Sequence, residues 1–266
     1  MIKSGLLFAA LVSAACTAMP GTTAVPSPTR TAPKLAKVSS TSALLKAMHG
    51  RYDGKYFKTM SFLQNNTAFT TTGEEQKSQW YEHLEVPGKL RIAFLPATQK
   101  SGLVHVDDRV ASFDNGIRVD FRPSVNPLLL LTADVYAAPT ATILRGLDSL
   151  GVNTDLIRTD EWEGRPVYVV GAKAGDTTST QMWVDRERLH LLRFIQRDKR
   201  GARTIVSDIR VKNYRQIDGY EIPTEFLVLR NGRPLWREQY ADIRINPALP
   251  PDVFDQALWR DIPTPD

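Results

Sequence analysis

The chain has 266 residues, 42% hydrophobic and 24% charged, which excludes a disordered or fibrous polymer and leaves room for one sizeable core or two small ones. A formal net charge of +5 is compatible with contact with anionic lipid or another acidic surface. A single cysteine, Cys16, excludes an internal disulfide framework.

In chain order, Lys3, the apolar residues 5–12 and the small residues Ser13, Ala14 and Ala15 form the pattern of an export signal over residues 1–15. The apolar run is too short for a membrane anchor, which takes about 20 residues, and the Leu run 128–131 is only core-length. Cys16 directly follows Ala15, at the place where a lipoprotein signal carries its lipid-modified residue. Ser13 stands where such a signal usually has Leu, so lipidation of Cys16 and an ordinary cleavage both fit. Both cut the same bond.

Residues 16–40 are rich in Pro, Thr, Ala and Ser and are expected to be a disordered tether. Residues 41–266 are then one domain. It is expected to open with a helix capped at Ser42, in which Leu44, Leu45 and Met48 repeat at helical spacing before Gly50.

An antiparallel meander follows. Strands are expected at residues 56–64, 79–85 and 89–95; in the last, Leu90, Ile92 and Phe94 share one face and Lys89 and Arg91 the other. Val104 and Val106 repeat the alternation, as do Val119 and Phe121. Residues 126–137 and 139–150 instead place Leu128, Leu131, Val135, Ile143, Leu144 and Leu147 at helical spacing, with Pro139 suited to a first turn. They read as a helical insertion against the sheet.

From residue 151 the strands return, at 166–172, 180–185, 189–197, 204–215, 220–230 and 234–245, punctuated by Glu163-Gly164, Gly175-Asp176, Lys199-Arg200-Gly201, Asp218-Gly219 and Asn231-Gly232. The fold class is mainly β (α+β), a curved antiparallel sheet, because a sheet of this size must curl or close.

Catalytic chemistry is not visible. His49, His83, His105 and His190 are scattered, with no metal-site spacing, and His105 near Asp107 and Asp108 reads as surface. There is no nucleophile elbow, phosphate loop or dinucleotide fingerprint. The basic cluster 197–203 lacks interleaved aromatic platforms and reads as a hairpin tip, so no nucleic-acid partner is expected. No cofactor, metal or enzymatic activity is expected.

Several stretches carry a resemblance: Trp183-Val184-Asp185 leading to Leu192-Arg193-Phe194, then Tyr214-Arg215-Gln216-Ile217-Asp218-Gly219-Tyr220-Glu221-Ile222-Pro223-Thr224, Ile245-Asn246-Pro247, Pro250-Pro251-Asp252-Val253-Phe254, and earlier Pro87-Gly88-Lys89-Leu90-Arg91. Together they resemble the LolA/LolB lipoprotein-carrier superfamily, especially outer-membrane lipoprotein-sorting-like proteins, over residues 42–259. The resemblance implies an unclosed β-barrel with helices as a lid over the concave face, and a periplasm-facing role in binding acyl chains of lipids or lipoproteins. The best-known carriers are soluble, whereas here Cys16 offers membrane attachment, with the outer membrane favoured.

If Leu90, Ile92, Phe94, Val119 and Phe121 face inward, with Leu128 and Leu131 on the helical cover, they form a cavity for acyl chains; the same residues would equally fill a packed core. The alternative function is an envelope sensor or scaffold of the same fold that binds a protein partner.

Overall fold

A computed structural model describes residues 38–52, 54–106, 108–201, 203–260 and 262. The expected export signal, Cys16 and the tether as far as residue 37 lie outside the described residues.

The first helix, α1 (Thr41–Gly50), buries Leu44, Leu45 and Met48. Its cap is Ser40, not Ser42: the Ser40 hydroxyl accepts from the Ala43 N–H at 3.2 Å, satisfying a free donor of the first turn. Six strands follow, β1 (Thr59–Phe69), β2 (Glu75–Glu85), β3 (Lys89–Phe94), β4 (Gly102–Val106), β5 (Arg109–Asp114) and β6 (Ile117–Pro123). β1 starts three residues later than expected, and Tyr56 and Phe57 enter the core ahead of it.

The insertion holds α2 (Pro127–Thr132), a single 3-10 turn (Asp134–Tyr136) and α3 (Thr140–Ser149). The one helix expected over 126–137 is therefore two short pieces, because Ala133 leaves the helical region (φ −131°, ψ −63°). Asp134 then turns its carboxylate to accept from the Gly88 N–H at 2.9 Å. Pro139 precedes α3 as its N-cap and lies outside the first turn.

The remaining strands are β7 (Ile157–Trp162), β8 (Arg165–Val170), β9 (Gln181–Asp185), β10 (Leu191–Arg200), β11 (Arg203–Ile217), β12 (Tyr220–Arg230) and β13 (Arg233–Ile245). The Asn115-Gly116, Glu163-Gly164, Asp218-Gly219 and Asn231-Gly232 pairs all have positive φ at both residues, the backbone that two-residue hairpins require. Gly175-Asp176 is instead part of the longer β8–β9 loop, where the Asp176 carboxylate accepts from the N–H groups of Thr178 and Ser179.

Among the described residues the thirteen strands form one antiparallel sheet in the order β6-β5-β4-β3-β2-β1-β13-β12-β11-β10-β9-β8-β7. The sheet is not closed. Its edges, β6 and β7, flank the helical insertion in sequence, so that insertion runs from one edge to the other over the concave face. There Leu130, Leu131, Ile143 and Leu147 join one core with Leu90, Ile92, Val170, Met182 and Phe194. The close approach of the insertion's two helices needs Gly146, since a Cβ there would stand 2.8 Å from a Leu130 methyl.

A second, smaller core lies on the convex face. The chain after β13 lays Trp259 parallel to Phe113 at 4.5 Å and over the Arg91 guanidinium at 3.8 Å. Ala93, Val104 and Ala111 complete this cluster.

Candidate functional site

Strand register assigns each side chain to a face, because residues directly opposite across a ladder point the same way. Leu90 pairs with Leu84 and His105, Ile92 with Glu82 and Leu103, and His105 with Val110; this set is concave. Arg91, Ala93, Val104 and Ala111 are convex, and Phe121 pairs with Ala111.

Phe121 is therefore on the convex side, and it and Val119 are 44% and 62% exposed, which corrects the expectation that they line the concave cavity. The β5–β6 pairing shifts register between Ser112 and Phe113, so Val119 has no partner and simple alternation is broken there. Adjacent strands fix parity through their pairing, and β6 lies three turns beyond β3. Arg109 and Arg118 cover the Phe121 ring at 4.1 and 5.2 Å.

Between α2 and the concave face of β1, β2, β3, β12 and β13 lies a cavity of about 100 Å³. Leu90, Ile92 and Leu128 line it. Phe94 stands beside it, its ring 5.0 Å from that of the lining residue Trp80. Leu131, fully buried, is packed in the core behind it.

The cover is short and tied at both ends. The Asn126 carboxamide accepts from the N–H groups of Leu128 and Leu129 at 2.9 and 3.2 Å, and the Tyr56 hydroxyl donates to the Thr132 carbonyl at 3.2 Å. Asp134, just beyond α2, has its carboxyl raised to about 7 by burial.

One end of the cavity is polar. Glu82 on β2 and Glu238 on β13 both line it, on either side of Gln64 of the intervening β1. Glu82 is 3% exposed and its Oε1 has no hydrogen-bond partner. Glu238 accepts from the Trp236 indole N–H at 3.1 Å. Burial raises both carboxyls, Glu238 to about 7, and the neighbouring Glu238 charge raises Glu82 further. Gln64 donates to Asn66 at 2.8 Å.

Aromatic rings surround this end: Trp80 lies 5.3 Å from Trp236, and Phe62 lies 4.1 Å from Tyr240. None of these polar and aromatic residues is among those expected from the sequence to line a cavity. The signal was present as a Trp-x-Glu in each of two strands, Trp80-x-Glu82 and Trp236-x-Glu238, which puts an acid at the parity of the inward-facing rings.

Among the described residues no three His, Cys, Asp or Glu groups stand together as a candidate metal site. His190 lies under the Tyr214 ring at 3.7 Å, with Nδ1 3.3 Å from Glu221 Oε2. Glu221 in turn pairs with Arg51 and Arg188, which fastens the C-terminal end of α1 to β12. No described helix is long and apolar enough to cross a membrane.

Solved structures with the same architecture exist. A LolA superfamily protein from Nitrosomonas europaea superposes with a TM-score of 0.53 at 15% identity, covering 82% of this chain and 98% of that one. The chain has a LolA-like fold. A domain described as an outer membrane lipoprotein-sorting protein from Vibrio parahaemolyticus gives 0.56 at 13% identity, covering 82% and 97%. A DUF1329 family protein from Desulfovibrio piger gives 0.55 at 14%, covering 84% and 100%. No family model and no curated protein matches the sequence. In this LolA-like frame the cavity occupies the space between the sheet and its helical cover.

Proposed function

We propose that the protein binds acyl chains in the bacterial envelope, facing the periplasm, in the sorting or transport of lipoproteins or lipids, and that it is not an enzyme. The observation that carries this reading is the mainly apolar cavity under α2. Burial of a chain contributes about 0.8 kcal/mol per methylene, so neither turnover nor a cofactor is needed. The LolA superfamily and lipoprotein-sorting neighbours support the same reading. At about 100 Å³ the cavity is smaller than the roughly 300–1,000 Å³ of a ligand site. Chain entry therefore displaces α2, which is six residues long and held by few hydrogen bonds. Cys16 would be the lipidated anchor and residues 16–40 the tether.

The test is native mass spectrometry of the protein purified from a bacterial periplasm, before and after addition of lipid. Released lipid or acylated peptide is expected, and Leu128→Trp, which fills the cavity, should abolish it. A clean apo mass with no uptake would sink the reading.

A second reading is favoured by Ile117, Val119 and Phe121, three exposed apolar side chains on the edge strand β6. They support a scaffold that recognises an envelope protein through this strand.

A further inference from the structure

The acidic end of the cavity requires an explanation that chain burial does not provide. An inward carboxyl raises the cost of the fold, because a buried polar atom without a partner costs about 1–3 kcal/mol and more when charged. Glu82 and the half-buried Glu238 both line the cavity, from strands on either side of β1, and Glu82 Oε1 is without a partner. Among the described lining residues there is no Lys, Arg or His to neutralise them; the ionisable neighbours are Tyr56 and Tyr240.

We propose that Glu82 and Glu238 form a recognition site for an alkylammonium group, so that the cavity's ligand is an amphiphile bearing a cationic nitrogen on its chain. The inference rests on the acyl-chain reading and specifies the polar end of that ligand.

Three features converge on a cation. The two carboxyls offer acceptors that nothing in the protein fully uses. Trp80, Phe62 and Tyr240 line the same space, and aromatic rings attract ammonium groups. An anionic headgroup finds no cationic side chain among the described lining residues and the Trp236 indole is committed to Glu238; Asn66 Nδ2, buried and without a partner, is an uncharged amide. An inward carboxylate, sulfate or phosphate would therefore meet two acids and no cation. An ammonium placed between them donates to Glu82 and Glu238, which become carboxylates, and any proton they carried is released to solvent.

The test uses the purified protein at pH 8, titrated below micelle concentration with dodecylammonium, dodecyl maltoside and dodecanoate, and read by tryptophan fluorescence and calorimetry. Dodecylammonium is expected to bind about ten-fold or more tightly than the other two, the equivalent of one or two charge-assisted hydrogen bonds. In Glu82→Gln/Glu238→Gln the ratio of dodecylammonium to dodecyl maltoside affinity should fall to about one. Equal affinity of all three for the unsubstituted protein would overturn the ammonium site and leave the chain-binding reading standing. Failure of all three to bind would remove both.

Discussion

Two regions of the same concave face are built differently. Under α1 and α3 the sheet is packed solid: Leu44, Leu45, Met48, Ile143 and Leu147 are essentially unexposed and meet Val170, Met182, Val184 and Leu191, which are equally buried. Under α2 the sheet carries a cavity, one buried and one half-buried acid, and an unpartnered carboxylate oxygen. The fold therefore draws its stability from one half of the face and leaves the other half incompletely filled and satisfied. Such incompleteness is tolerated where binding depends on it.

The largest effect should come from truncation on the solid side. Leu147→Ala is expected to cost about 2–5 kcal/mol in urea unfolding, because a fully packed site cannot collapse around the void. Leu128→Ala, half-buried beside an existing cavity, should cost only about 1 kcal/mol on the same scale of lost packing. Equal losses would break the contrast between the two regions.

The acids should show the difference through pH. Glu82 and Glu238 have carboxyls raised above the ordinary value of 4.5, Glu238 to about 7, so the folded state holds protons that the unfolded chain releases. Their stabilising contribution is fully present below pH 4.5 and is lost as pH rises towards 7. Relative to the unsubstituted protein, Glu238→Gln should gain up to about 3 kcal/mol across this window, at 1.36 kcal/mol per pKa unit, and adding Glu82→Gln should widen the gain. Asp134, raised to about 7 by burial at the far side of α2, retains a slope of the same sign in both proteins. Urea titrations at several pH values measure the difference, and parallel profiles would contradict the buried-acid account.

The smallest effect belongs to the convex edge. Phe121→Ser removes an exposed ring and should change stability by less than about 0.5 kcal/mol. A larger loss in thermal unfolding would mean that β6 is covered by something the fold depends on.

Much of the fold was legible in the sequence. Period-two alternation located β3 and β12 to within a residue, and the Asn-Gly and Asp-Gly pairs marked true hairpin turns, because only certain residues tolerate the positive φ needed there. The site was less legible. Leu90, Ile92 and Leu128 line the cavity, but Val119 and Phe121 stand exposed outside it, and Glu82 and Glu238 are not among the expected residues. Local pattern says that alternate residues share a face; it does not say which face is the concave one.

By itself, then, the sequence determined most of the elements, β5 and β7 excepted, the antiparallel hairpin order and the resemblance to a lipoprotein-carrier fold, since these depend on propensity, turn chemistry and nearest-neighbour pairing. Tertiary structure alone decided three things: that α2 covers a cavity while α1 and α3 pack solidly onto the sheet, that Arg91 is sealed under Trp259, and that acids 156 positions apart in sequence, at 82 and 238, line the same cavity. Each of these follows from the β1–β13 pairing that joins the two ends of the domain, a contact whose partners are too distant in sequence for any local signal to specify.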